Sequence, residues 1–272
     1  MNIVGLGNCG CNLSEGFLKY PQYEIYLFDS EKRTGNFSLL EEERSHEEYE
    51  INFKEKKISP KHDQTIFFVS SSGYISGCSL RVLEYFKDTE IRIVLITPDK
   101  QELQSDYFLC HKLIFNALQD YARSGVFKDI LLINNEDVEA TISDITFLNK
   151  HQKINEAIVW AIHSLNIFEK TTPVAKTKSF SKEYSRILSI GTYDYKKDHE
   201  ITYFSVDKIM ERVYYLSIPR KNLEEDYELV GMMKENFKDK ENSSYRIYEN
   251  NSDYSFGIVV HKTFFHQGKE LS

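Results

Sequence analysis

Three glycines and two cysteines crowd the first twelve residues, MNIVGLGNCGCN. Gly5, Gly7 and Gly10 read G-x-G-x-x-G. Glycines at that spacing permit a tight turn and let backbone N–H groups approach an anion at a helix N-terminus. The anion could be a dinucleotide pyrophosphate or a nucleoside triphosphate, or the turn could hold nothing. A second turn of small residues, SSSGYISGCS, begins at Ser70. Its hydroxyls and N–H groups could meet the same phosphates, because two such turns on one sheet edge suit a triphosphate held between two helix N-termini. Asp29 lies about twenty residues beyond the glycines, where a Rossmann enzyme binds a ribose hydroxyl. Asn155, in INEA, carries an amide able to pair with a purine edge.

These residues need elements to hold them. The apolar pattern predicts a strand over 1–4 and a helix over 12–18 flanking the first glycine loop, then a strand ending at Asp29-Ser30. This is the βαβ context that the glycine motif requires. The acidic stretch that follows, FSLLEEERSHEEYEINFKEKK, reads as surface loop with one short helix. Beyond it come a buried strand over 66–69 and a helix with Leu80, Leu83 and Phe86 on one face. A strand IRIVLITPD, an amphipathic helix closed by Gly125 and a strand DILLINNED complete the series. The order predicts an α/β fold: a Rossmann-like parallel sheet with helices on both faces. A long helix, INEAIVWAIHSLNIF, presents Ile154, Ile158, Ala161, Ile162 and Leu165 on a wide apolar face, and TTP ends it. After Pro173 the texture changes to alternating, Tyr-rich strands with one helix among them, an α+β half with antiparallel pairing. The predicted organisation is a nucleotide-binding domain over 1–170 that includes the long central helix, and a smaller α+β domain over 171–272.

Composition narrows the function classes. The chain has 272 residues, 41% hydrophobic and 14% aromatic, with a net charge of −8. That charge argues against nucleic acid and anionic membrane surfaces, which call for clustered Lys and Arg. No apolar run is long enough for membrane insertion. The N-terminus lacks a basic n-region and reads as strand rather than signal peptide. Four cysteines at 9, 11, 78 and 110 form neither a disulfide framework nor a zinc pattern and suit free thiols in the cytoplasm. No metal site is expected. The sequence contains no G-x-x-x-x-G-K-[ST], G-x-S-x-G or H-E-x-x-H. His46, His111 and His163 read as surface or satisfied core residues.

Taken together, the ordered motifs resemble the tubulin/FtsZ superfamily, with the match best over 1–173. GLGNCGCN looks like the family's first phosphate loop, and Gly7, Asn8, Cys9, Gly10 and Asn12 carry the match. SGYISGCS stands where the family has its GGGTGSG signature. Ser72, Gly73, Ser76 and Gly77 fit there, while Tyr74 and Ile75 replace Thr and Gly. The resemblance makes Asp99 and Glu102 candidates for a ribose loop, Asn135 for sugar or base, and Asn155 for the guanine. It implies GTP or GDP as ligand, with Mg²⁺, and head-to-tail self-association into filaments. In this arrangement Gly10→Val would place a branched side chain where a phosphate should sit.

The departures point to weak or absent hydrolysis. The third phosphate loop of the family is glycine-rich, and here the region is EEERSHEEYE, where Arg44, Ser45 and His46 could meet a γ-phosphate. After the central helix the family carries acids that position the attacking water. Here the segment offers Lys176, Lys178, Lys182 and one acid, Glu183, and a lysine does not polarise water as a carboxylate does. The short chain fits compact divergent relatives encoded by large bacteriophages, which would place it in a host cytoplasm. Two alternatives stay open. One is a degenerate structural or assembly protein of the same fold that binds no nucleotide. The other is an NAD-dependent Rossmann oxidoreductase using Asp29.

Overall fold

A computed structural model describes residues 1–54, 56–98, 105–178 and 184–268. The first half alternates strands and helices. Strand β1 (Asn2–Leu6) leads into helix α1 (Gly7–Glu15), followed by β2 (Glu24–Asp29), a short β3 (Phe37–Leu39) and helix α2 (His46–Ile51). Then come β4 (Gln64–Ser70), a 3-10 turn (Tyr74–Cys78), α3 (Ser79–Glu84), β5 (Glu90–Thr97) and α4 (Ser105–Arg123). Strand β6 (Asp129–Asn134) runs into α5 (Asn135–Glu139), and the central helix α6 (Lys150–Lys170) closes the series. The second half holds β7 (Ala175–Lys176), β8 (Ile187–Asp194), β9 (His199–Thr202) and β10 (Glu211–Pro219). Helices α7 (Arg220–Glu225) and α8 (Leu229–Lys238) precede β11 (Ser243–Asn250) and β12 (Phe256–Thr263).

Among the described residues, twelve strands join one sheet, in the order β3-β2-β1-β4-β5-β6-β8-β12-β10-β11-β7, with β9 paired to β8. From β3 to β8 the pairing is parallel, so the C-terminal ends of these strands share one edge. β12 runs antiparallel to both β8 and β10. β10 and β11 are parallel, joined by the α7–α8 crossover, so the second half is not wholly antiparallel. The ladder from β6 to β8, Ile130 with Ile187 through Leu132 with Ser189, carries the sheet across the expected boundary near residue 171.

Alternation along the strands builds the two sides of the core. Ile3, Phe68, Val94 and Ile96 meet Leu13 of α1, Phe17 in the turn after it, and Ile158, Ile162 and Leu165 of α6. Val4, Leu6, Phe67, Ile93 and Leu95 face the other way, onto Val82 of α3 and Ile114, Phe115 and Leu118 of α4. The central helix is longer than its apolar signal, reaching from Lys150 to Lys170. Asn155 therefore sits in its second turn and not at its start.

One ionic cluster fixes the end of that helix. Arg92 on β5 forks onto Asp129 on β6 at 2.7 and 2.9 Å and onto Glu169 on α6 at 2.9 and 3.2 Å. Burial opposes both charges, but the attraction wins: the Arg92 guanidinium is held well above its usual range and the Glu169 carboxyl below its own. Removing one member of such a cluster leaves unpaired buried charge, typically at a cost of about 3–5 kcal/mol. Arg92→Met should therefore lower the urea midpoint by an amount corresponding to roughly that cost, with an unchanged m-value. A loss under about 1 kcal/mol would show that the cluster does not anchor the helix.

Candidate functional site

The first glycine segment is not a loop. β1 ends at Leu6 and α1 begins at once with Gly7, five residues earlier than the apolar pattern predicts. The apolar residues that suggested a later start, Leu13 and Phe17, mark the buried side of the helix and the turn beyond it. Gly7 makes the abrupt entry, with φ of +69°, a left-handed conformation that side chains disfavour. Gly10 serves packing. A Cβ there would run into the backbone carbonyl of Phe68 on β4, so α1 rests directly on the strand. Gly10→Val would consequently test packing and not phosphate binding, which corrects the expectation from the sequence.

The N-terminus of α1 opens into a cavity of about 400 Å³ at the C-terminal edge of β1, β2 and β4. Of the expected site residues, Gly7, Asn8, Cys9, Asp29, Ser72, Gly73 and Tyr74 line it. The two small-residue turns thus do converge. The helix start carries neither a side-chain cap nor an acid in its first turn. Its first N–H groups, which have no partner within a helix, lie at this cavity.

Other expected residues have different duties. Ser76 is buried and donates to the carbonyl of Gly73 at 2.6 Å. Gly77 lets α2 close over the 3-10 turn, since a Cβ would strike the carbonyl of His46. Asn135 is the first residue of α5, and the capping is done by its neighbour Asn134, whose side chain accepts from the N–H of Asp137. Neither Asn135 nor Asn155 lines the cavity. Ser45 caps α2, and Arg44, Ser45 and His46 do not line the cavity either. Asp99, Glu102, Lys182 and Glu183 lie outside the described residues.

Sequence reasoning missed Arg33. Its guanidinium meets Asp29 at 2.9 Å through Nε and at 2.8 Å through Nη2. It donates to Asn12 Oδ1 at 2.6 Å and Asn8 Oδ1 at 2.5 Å, and Glu15 stands 3.6 Å away. Asn12, expected at the phosphates, is instead tied into this network. The other oxygen of Asp29 accepts from the N–H of Ser30 at 2.9 Å. Asp29 Oδ2 thus anchors Arg33, while Oδ1 has a single donor among the described residues. No motif marked it: Asp29 ends a strand and Arg33 follows in irregular chain, where a four-residue spacing carries no helical pairing.

The cavity is acidic. Asp29, Glu31, Glu42 and Glu43 line it, along with Tyr49, Tyr74, Tyr107 and Ile75, and no lysine or arginine does so among the described residues. Burial pushes the thiols of Cys9, Cys11 and Cys78 up to about 12. They remain protonated near neutral pH and are poor nucleophiles. The described residues contain no cluster of three or more His, Cys, Asp or Glu able to hold a metal ion. They also contain no helix long and apolar enough to cross a membrane.

The fold is that of the tubulin/FtsZ superfamily. TubZ of Bacillus thuringiensis serovar israelensis, solved as a GTPγS-form protofilament, superposes with a TM-score of 0.69 over 99% of this chain and 89% of its own, at 12% identity. CetZ1 of Haloferax volcanii, a GDP-bound monomer, gives 0.67 over 98% and 95%, again at 12% identity. An empty FtsZ dimer from M. jannaschii gives 0.65 over 98% and 90%, also at 12%. No protein-family model matches the chain. No curated protein matches it in sequence.

A histidine near the site offers a test of its packing. His111 Nδ1 lies 2.7 Å from Ser71 Oγ, and both residues are buried. The pair is a satisfied core contact, since Ser71 has no exposed surface from which to attack a substrate. Burial lowers the His111 pKa from its ordinary 6.5 to about 4. As pH falls from about 6.5 towards 4, the unfolded chain takes up a proton that the folded chain refuses, so stability drops across that window. His111→Asn should flatten that part of the profile, as read from urea midpoints at pH 7 and pH 5. An unchanged slope would show that His111 is not held neutral.

Proposed function

We propose that this chain is a nucleotide-binding assembly protein of the tubulin/FtsZ fold, acting in the cytoplasm. One observation carries the reading: the uncapped start of α1 meets the 70–75 turn at a cavity on the C-terminal sheet edge. Orphan N–H groups and the positive end of the helix dipole favour a phosphate there. The ligand is a guanine nucleotide, as in the GTPγS-form TubZ and GDP-bound CetZ1 structures. Three acids at the cavity, Glu31, Glu42 and Glu43, call for the Mg²⁺ complex and not the free anion. Residues 1–170 supply this pocket and 171–272 the second half of an assembly surface.

Assembly is head to tail. The cavity lies on the C-terminal strand edge, while α6 ends at the opposite edge beside Met1, Gln64 and Arg92. Two unlike surfaces on opposite edges make heterologous contacts, which grow into filaments when the rotation does not close. The protofilament relatives support that geometry. Hydrolysis is slow or absent, because residues 171–178, TTPVAKTK, follow the central helix without a single carboxylate.

A second reading has its own support. Four cavity carboxylates and the apolar side chain of Ile75 beside Gly7 suit a protein that keeps the architecture and assembles without nucleotide. A thermal-shift panel with GTP, GDP, ATP and NAD, each with Mg²⁺, separates the two. A ligand at a hundred times its Kd adds about 2.7 kcal/mol. Selective stabilisation by GTP or GDP is the expected result. No shift with any of the four would leave the structural reading in its place.

A further inference from the structure

The loop between α5 and α6 turns its apolar side chains outward. Phe147 is 96% exposed and Leu148 95%, and no other large apolar side chain among the described residues is as exposed. The two are the central residues of a tight turn, closed where the N–H of Asn149 donates to the carbonyl of Thr146 at 3.1 Å. Turns favour glycine, proline, asparagine, aspartate and serine for their backbone geometry, so a Phe-Leu tip is not something the turn requires. The polar side chains brace the turn from within. Asn149 Oδ1 accepts from the N–H of Thr146 at 2.6 Å, its Nδ2 donates to the carbonyl of Asp144 at 3.4 Å, and Lys153 holds the Asp144 carboxylate at 2.9 Å. The apolar tip is therefore already ordered, and a partner would lose little freedom in engaging it.

Exposed apolar side chains on a braced turn mark a contact surface when a complementary one exists. The turn sits on the cavity edge of the sheet, where β6 ends and from which α6 starts. The same edge carries Glu31, Glu42 and Glu43 at the cavity and an exposed Asp144 in the loop. The opposite edge has the matching character. There the turn after α1 and the end of α6 lie side by side: Tyr20 stacks on His163 at 3.7 Å, and Tyr23 Oη accepts from Asn166 at 2.9 Å. Leu18 and Ile167 are exposed at these ends, along with Lys19 and Lys170. An apolar tip on an acid-rich edge thus has its counterpart, apolar side chains beside lysines, on the far edge of an identical chain.

We infer that Phe147 and Leu148 form the apolar anchor by which one copy of this chain holds the next, docking on the Leu18 and Ile167 end of its neighbour. The inference rests on head-to-tail assembly as proposed above and names the contact that would carry it. The partner is a second copy of this chain, because both halves of the complementary pair are present on it. The halves lie on opposite edges, so two copies related by a two-fold axis cannot pair both at once, and the contact is heterologous.

Sedimentation velocity of the full chain over a range of concentrations, with and without Mg-GTP, tests this. Wild type should self-associate. The double substitution Phe147→Ser and Leu148→Ser should raise the concentration at which assembly begins by at least about tenfold, as loss of an interface anchor does. Both residues are exposed, so the thermal midpoint should match that of wild type. Leu148→Met keeps an apolar tip and should assemble as wild type does. The double variant keeps an intact Leu18 and Ile167 end, so a small fraction of it should cap growing polymers and shorten those of wild type. Assembly of the double variant at the wild-type threshold would overturn the inference and leave the head-to-tail reading standing. Assembly lost without any capping of wild type would place the contact between like surfaces and overturn it as well. A wild type that stays monomeric throughout would remove the head-to-tail reading, and this inference with it.

Discussion

The seating of α1 on the sheet governs the site. Gly10 allows the helix to touch the carbonyl of Phe68, and no other residue could stand there without moving helix or strand. Gly16 makes a second close approach, to Val159 of the central helix. With α1 pinned between β4 and α6, its first turn has one place to go, the gap between the ends of β1 and β4. Gly7 then absorbs the change from strand to helix in a single residue. The position of the cavity follows from these contacts. Its chemistry does not, because the packing glycines say nothing about which side chains line the walls.

That chemistry is set by neighbours outside the glycine motif. Arg33 draws Asn8, Asn12 and Asp29 into one hydrogen-bonded network, with side-chain exposures of 11% for Arg33 and 4% for Asp29. The Arg33–Asp29 core of this network is largely buried, and charge-assisted hydrogen bonds hold it together, while Asn8 joins it at the exposed end. It converts residues that could have bound a ligand into supports for the helix. The α2 segment meanwhile brings Glu42, Glu43 and Tyr49 to the cavity, and Gly77 lets α2 pack close enough to do so. The outcome is an anion-favouring helix start inside an acid wall, and these two fields oppose each other. On the nucleotide reading proposed above, a phosphate chain would meet that wall as its complex with a divalent cation.

Much of the fold was legible in the sequence. The βαβ opening, the buried parallel strands, the α4 pattern ended near Gly125 and the apolar face of α6 all come from periodicity, which reports on burial. The short β3 escaped notice because three residues carry no period. The continuous sheet escaped because β6 and β8 are joined through a long helix and a loop, and pairing at that distance leaves no local trace. The site was half legible. Small residues located both turns, since glycine and serine report on backbone approach. Which of them face the cavity depends on helical phase, and placing the helix start five residues late moved Gly10 and Asn12 to the wrong side. Arg33 lay outside any motif, as side chains that act through tertiary contact usually do.

The opposite edge of the molecule completes the argument about turnover. Arg92, Asp129 and Glu169 lock the end of α6 to the N-terminal strand edge, so the chain leaves the helix at a fixed point. From there it passes through TTPVAKTK to pair Ala175 and Lys176 with β11. A subunit stacked on another would present this segment, and Lys176 and Lys178 are both exposed on it. On the head-to-tail reading proposed above, lysines there would suit the acid rim around a neighbour's cavity, and a carboxylate would be repelled by it. On the same reading, residues 171–178 would offer a neighbour's site no carboxylate to orient an attacking water. On that reading, the charges that suit stacking are poorly suited to hydrolysis, and a nucleotide caught in such a contact would act as a structural element more than as a fuel.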